Sequence, residues 1–212
     1  MHIFIHGLGQ TSASWGKTVS LINRLPSHLC PDLSELITGE ASSYANLYSA
    51  FSGYCKKIRQ PFHLCGLSLG SVIALNYALD HPERIKSLVL IAPQYKMPKR
   101  LLGIQNIIFR LMPASFFKRM GFQKKEVIML TSSMSNLDFS GRLNNFSAPA
   151  LIVCGRKDSA NKNAAINLAA NWPNARFKFV EGAGHQVNQE DPEALAMLLE
   201  EFYLTNGFLL NT

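Results

Sequence analysis

The chain has 212 residues, 47% of them hydrophobic and 17% charged. That length holds one domain with a well-buried core and is too short for two generous ones, and a disordered chain would need fewer apolar residues and more net charge. The formal net charge of +7 suits an anionic substrate, an acidic lipid surface or nucleic acid, or serves only solubility.

In chain order, Ile3-Phe4-Ile5 is a brief strand ending at His6-Gly7. Ser14 to Arg24 reads as a helix stopped by Pro26, and Leu29-Cys30 before Pro31 as a short strand. Ser42 to Arg59 carries apolar residues at Tyr44, Leu47, Tyr48, Phe51, Tyr54, Cys55 and Ile58, the stripe of an amphipathic helix. Phe62–Cys65 is a strand and Leu69–Leu79 a helix; Ser87–Ile91 and Ala150–Cys154 are further strands. Asn161–Asn171 is helical, Arg176–Val180 a strand, and Pro192–Tyr203 a final helix. Strands that are apolar throughout, alternating with helices, predict an α/β fold. Its sheet would be mainly parallel, of about six strands, and buried on both faces. The segment 93–149 breaks the rhythm with helical pieces at Leu101–Leu111, Ala114–Met120 and Lys124–Met134. It reads as a helical insertion above the sheet within a single domain, 1–212.

The four cysteines, Cys30, Cys55, Cys65 and Cys154, contain no CxxC pair, which argues against a zinc ribbon or a redox motif. Cys30, Cys65 and Cys154 lie in or beside apolar runs and read as small buried hydrophobes. The N-terminus shows no signal-peptide pattern, and no run of about 18 apolar residues predicts a membrane span. The expected location is cytoplasmic, without stable membrane insertion, and no motif points to nucleic acid.

Gly66-Leu67-Ser68-Leu69-Gly70 follows a strand and opens a helix, the context a G-x-S-x-G nucleophile turn requires. Such a turn is so tight that side chains two before and two after the serine would clash, so Gly66 and Gly70 are needed. A serine needs a base. His185, on the small-residue loop Gly182-Ala183-Gly184 after a strand, is the best placed of the six histidines. Asp158, directly after the strand Ala150–Cys154, can orient that histidine, with Asp138 in reserve; Asn161 could cap the helix that follows. The order Ser68, Asp158, His185 then matches an acyl-transfer triad. Oxyanion donors would be the backbone N–H groups of Leu69 and of Leu8, the latter in the loop His6-Gly7-Leu8-Gly9 with His6 bracing it.

His6-Gly7 after a strand, the G-x-S-x-G turn, Asp80-His81-Pro82-Glu83-Arg84, Gly155-x-x-Asp158 and Gly184-His185 together resemble the α/β-hydrolase superfamily over residues 2–204. The nearest flavour is the small esterases and lipases with a helical lid. The resemblance implies an α/β-hydrolase fold and makes 93–149 a cap over an acyl pocket. It also implies a small-molecule acyl ester or thioester substrate, with no metal or organic cofactor. A thioesterase, a C–C hydrolase or lyase with the same triad, or a non-catalytic binding protein of this fold, stay open. Family members usually carry two strands before the His-Gly strand that this chain lacks. The Leu29-Cys30 strand is therefore expected at an exposed sheet edge, either covered by a second subunit of a homodimer or simply short; a truncated gene product is the third alternative.

Overall fold

The computed structural model describes residues 1–23, 25–37, 42–118 and 122–209. Arg24 and Met120, which end two of the expected helices, and Arg119 lie outside them. The elements are β1 (His2–Ile5), α1 (Gly16–Leu21), β2 (His28–Leu29), α2 (Leu33–Leu36), α3 (Tyr44–Lys56), β3 (Phe62–Leu67), α4 (Leu69–Asp80) and β4 (Ile85–Ile91). They continue with α5 (Lys99–Leu111), α6 (Ala114–Lys118), α7 (Lys124–Ser133), β5 (Ala150–Gly155), α8 (Lys162–Ala170), β6 (Ala175–Val180), α9 (Val187–Glu190) and α10 (Pro192–Thr205).

The six strands form one sheet in the order β2-β1-β3-β4-β5-β6, and every pair is parallel. A parallel pair needs a crossover over one face of the sheet, so both faces are covered and the central strands are apolar on both sides. Side chains alternate between the faces with period two. Ile3, Ile5, Leu64, Leu88, Leu90 and Ile152 join the core beneath α3, α4 and α8. Phe4, Cys65, Val89, Ile91, Leu151 and Val153 join the second core, beneath α1 and α10, with Trp15, Leu199 and Tyr203. Burial pushes the Cys55 and Cys154 thiols up to about 12, and all four cysteines are free.

The sheet edges differ from the continuous pattern. β6 alternates half-buried with exposed residues, and Arg176 and Lys178 point outward, a charged edge that discourages further pairing. At the other edge, β2 is two residues long and pairs only through His28 and Leu29. Cys30 falls just outside it, because Pro31 follows and has no N–H to extend the ladder.

Helix α3 begins where Ser43 accepts the Asn46 N–H in its Oγ at 3.2 Å, a serine N-cap. Between β4 and β5, the helices α5, α6 and α7 leave the sheet through a narrow neck. Lys96 and Asp138 form an antiparallel bridge there; Met97 N–H donates to Leu137 O at 2.9 Å and Phe139 N–H to Tyr95 O at 2.8 Å. Among the described residues, no helix is long and apolar enough to cross a membrane.

Candidate active site

Strand β3 ends at Leu67 and α4 starts at Leu69, so Ser68 alone makes the turn between them. It does so at φ 55° and ψ −114°, left-handed backbone that costs a non-glycine residue about 1–3 kcal/mol. Four bonds hold its backbone there: Ser68 N–H donates to Ile91 O at 2.9 Å, and Ser68 O accepts from the N–H of Ser71 (2.9 Å) and of Val72 (3.1 Å) and from Ser71 Oγ (2.6 Å). The flanking glycines are steric requirements. A Cβ on Gly66 would overlap the Gly70 carbonyl, and one on Gly70 would overlap the Ile5 carbonyl. α4 thus packs backbone to backbone on the ends of β3 and β1.

His185 lies beyond β6 and is brought back over the end of β5. A Cβ on Gly155 would overlap the Gly184 carbonyl, so the two loops cross in direct contact. His185 Nε2 is 3.0 Å from Ser68 Oγ, and its Nδ1 is 2.7 Å from Asp158 Oδ2. Asp158 is 5% exposed. Burial alone would raise its carboxyl. The hydrogen bond and charge of His185, with two kinds of bond from Asn161, outweigh burial and hold the carboxyl below the usual carboxylate range. An ionised Asp158 accepts a hydrogen bond from the Nδ1–H, which leaves Nε2 as an acceptor for the Ser68 hydroxyl.

Asp138 stands apart. Ser140 N–H donates to it at 3.0 Å and Lys96 Nζ pairs with it at 3.0 Å; these bonds, first those of Ser140, hold its carboxyl down at about 2. Asn161 also departs from expectation. Its side chain makes no capping bond to α8. Instead Asn161 Nδ2 donates to both carboxylate oxygens of Asp158 (3.0 and 2.9 Å), and its backbone N–H donates to Oδ1 at 3.1 Å. Gln94 Nε2 donates to Asn161 Oδ1 at 2.9 Å, which fixes the amide with its nitrogen toward Asp158. The same nitrogen lies 3.0 Å from His185 Nδ1; two N–H donors cannot bond each other, so the Nδ1 proton belongs to the closer Asp158.

Two further devices carry no local sequence signature. Glu190 accepts the Gly184 N–H at 2.6 Å in Oε2 and the Gln186 N–H at 2.8 Å in Oε1, straddling His185. Gln10 and Asn188 form a buried reciprocal amide pair: Gln10 Nε2 donates to Asn188 Oδ1 at 2.9 Å, and Asn188 Nδ2 donates back at 3.2 Å. Gly7 N–H donates to Gln10 Oε1 at 3.3 Å, so the pair ties the first loop to α9.

That first loop is shaped by Gly9 at φ 88° and by the close approach of Gly7 to Leu67 and Ser68. His6 is buried. Its Nε2 accepts the Leu33 N–H at 3.0 Å and its Nδ1, 2.9 Å from Gly7 O, donates to that carbonyl. Asp32 Oδ1 is 3.4 Å from the same Nε2; the Leu33 bond is shorter and claims its lone pair. Among the described residues, the N–H groups of Leu8 and Leu69 have no acceptor, and both residues line one cavity with Ser68 and His185. The cavity measures about 460 Å³, and its wall is mainly apolar, including Val72, Met97, Leu102, Ile108, Phe109 and Met134. A wider open groove at the β2 edge, about 630 Å³ beside Trp15 and Cys30, contains none of these groups.

Comparison with known proteins agrees with this architecture. The model of the Alpha/beta hydrolase family matches residues 3–198. A monoacylglycerol lipase of Xenopus laevis is 24% identical, the match covering 94% of this chain and 74% of the relative. A pimeloyl-acyl-carrier-protein methyl ester esterase of Aeromonas hydrophila is 27% identical over 94% of each chain. Among solved structures, NosK from Streptomyces actuosus superposes with a TM-score of 0.81 at 18% identity, covering 97% of this chain and 98% of that one. A thermophilic esterase from Thermogutta terrifontis gives 0.76 at 19% identity, covering 97% and 89%. The chain belongs to the alpha/beta hydrolase family.

Proposed function

We propose that this chain, an ester-hydrolysing member of its family, works through an acyl-enzyme on Ser68. The observation that carries the reading is the unbroken chain from Ser68 Oγ to His185 Nε2 at 3.0 Å and from His185 Nδ1 to Asp158 Oδ2 at 2.7 Å. Ser68 Oγ attacks the ester carbonyl carbon while its proton passes to His185 Nε2. The developing oxyanion is met by the N–H groups of Leu8 and Leu69, with the N-terminal end of α4 adding its positive dipole. Asp158 keeps the imidazolium oriented and compensated. His185 returns the proton to the leaving alkoxide oxygen, the C–O bond breaks, and the acyl group stays on Ser68. Water, passing a proton to His185 Nε2, then attacks the acyl carbon; the bond from that carbon to Ser68 Oγ breaks, His185 returns the proton to Oγ, and the acid leaves.

The segment 93–149 acts as the cap of this site, and its Met97, Leu102, Phe109 and Met134 side chains give the acyl chain an apolar wall. The relatives named above act on a monoacylglycerol and on a methyl ester, which supports an oxygen ester as substrate. A panel of matched p-nitrophenyl esters and thioesters tests this. Ester turnover that Ser68→Ala abolishes is the expected result. Thioesters cleaved far faster than the matching esters would overturn the ester assignment while leaving the triad in place.

A further inference from the structure

Helix α5 presents an apolar stripe to solvent. Ile104, Ile107, Ile108 and Leu111 are 57, 60, 51 and 82% exposed, and their i, i+3, i+4, i+7 spacing places them on one face. The rest of the helix is already anchored. Leu102 and Phe109 pack on the core, while Asn106 bonds Thr131 at 2.5 Å and Ser132 at 3.0 Å on α7. The apolar stripe is therefore not part of the contact that holds α5 in place. Phe116 on α6 adds a fifth large apolar side chain, 42% exposed. An exposed apolar helix face such as that of α5 marks an interaction surface.

Charge says what kind. The segment 96–125 holds eight of the chain's 21 lysines and arginines and none of its 14 acids; the net positive charge resides here. Lys96 is paired with Asp138, and Lys124 Nζ caps the end of α5 on Arg110 O and Met112 O. Lys99, Arg110, Lys118 and Lys125 are exposed and form no ion pair among the described residues. A second copy docked through the same face would bring two cationic rims together. An anionic lipid surface instead satisfies both features, taking the isoleucines and leucine into its acyl boundary and the lysines among its headgroups.

We propose that α5 and α6 dock the protein reversibly on a phospholipid surface rich in anionic headgroups. Ile104 and Ile108 also line the cavity that holds Ser68, so the docked face opens directly onto the cavity mouth. The docking surface stands whether or not Ser68 is the nucleophile; only its purpose, passing an acyl ester from the surface into the cavity, rests on the function proposed above.

The test is co-sedimentation of the full chain with phosphatidylglycerol/phosphatidylcholine vesicles and with pure phosphatidylcholine vesicles. The native protein is expected to bind the anionic vesicles and to be released by salt. Ile107→Ser with Leu111→Ser, neither of which lines the cavity, is expected to weaken binding at least tenfold. Reversing Lys118 and Lys125 to Glu removes at least about fivefold per position. Ser68→Ala is expected to bind like the native chain, and Ile107→Ser/Leu111→Ser to keep full turnover of a short soluble ester. No binding of the native protein to anionic vesicles would overturn the proposal. So would full retention by the double serine variant, or a native dimer in sedimentation equilibrium that this variant dissolves. Vesicle binding without any soluble-ester turnover by the native protein would sink the acyl-enzyme reading and leave the docking surface standing.

Discussion

Ser68 spends backbone strain to project its hydroxyl above the sheet, and Asp158 spends desolvation to sit buried beside His185. Both are held by bonds that the local chain supplies, and each makes a different prediction. Asp158→Asn removes the acceptor that fixes the His185 tautomer and should lower kcat by about 10⁴-fold, whereas Asp138→Asn should leave it unchanged, because Asp138 is committed to Ser140 and Lys96. Steady-state kinetics on one ester separates them. Asn161→Ala leaves two carboxylate bonds of Asp158 unmade. It should cost roughly 1–3 kcal/mol of stability, about 2–12 °C in Tm for a chain of this size, measured by thermal unfolding. Ser68 and His185 were legible in the sequence because a steric motif and a glycine-rich loop betray them locally. Asn161 was legible only as a helix cap. Its bond to Asp158 is short-range, but its choice between capping and supporting a carboxylate is decided by Gln94 and His185, which come from other loops.

At the scale of elements, the one-turn helix α9 exists to deliver Glu190 to two backbone N–H groups and Asn188 to Gln10. Glu190→Gln keeps the shape but removes one of the two oxygen acceptors, freeing the His185 loop. We expect kcat to fall about tenfold or more with KM little changed, since misplacement of a catalytic group acts on the reacting geometry; Glu190→Ala should be worse. Equal loss in KM and none in kcat would mean the clamp serves binding instead. Gly155→Ala should be severe for another reason: its methyl would enter the Gly184 carbonyl, and overpacking against backbone costs typically 1–3 kcal/mol or more. Long periodic elements such as α3, α4 and β4 could be read from the sequence to within a few residues. α2 and α9 could not, because four residues show no period. Periodicity also marks α5 as amphipathic without saying which partner its apolar face meets. The structure turns Ile104, Ile107, Ile108 and Leu111 to solvent.

The whole molecule is a two-sided sheet whose candidate site is gathered at the carboxyl ends of the strands, and its other end holds a buried pair of histidines. His2 and His63 stack at 4.3 Å between ring centroids beneath Tyr203. Burial first, then the positive charge of the N-terminal amine, His28 and Lys86, pushes His2 down to about 4; burial first, then His2, the N-terminal amine and Lys86, pushes His63 down to about 3. An unfolded histidine titrates near 6.5, so the unfolded chain binds more protons below that pH. Stability contributed by the neutral pair is therefore complete above about pH 6.5 and is lost as pH falls toward 4, by a few kcal/mol. The paired carboxylates of Asp32, Asp138 and Asp158, all held low, add their own loss only below about pH 4. Tm measured from pH 7.5 to 4.5 should decline for the native chain and decline less steeply for His63→Gln; parallel curves would refute the assignment. The fold class follows from apolar strands that cannot be covered on one face only, whereas the strand order came from the coordinates. The shortness of β2 and the charged edge of β6 needed coordinates, since both depend on where pairing stops.

The most direct test of the account is intact-mass analysis after exposure to a fluorophosphonate, on the native chain and on Ser68→Ala. The account predicts one covalent adduct on the native protein and none on the variant, because it takes Ser68, with His185 as its base, to be the nucleophile. A folded native protein that stays unlabelled, or a Ser68→Ala variant that labels equally, would contradict it.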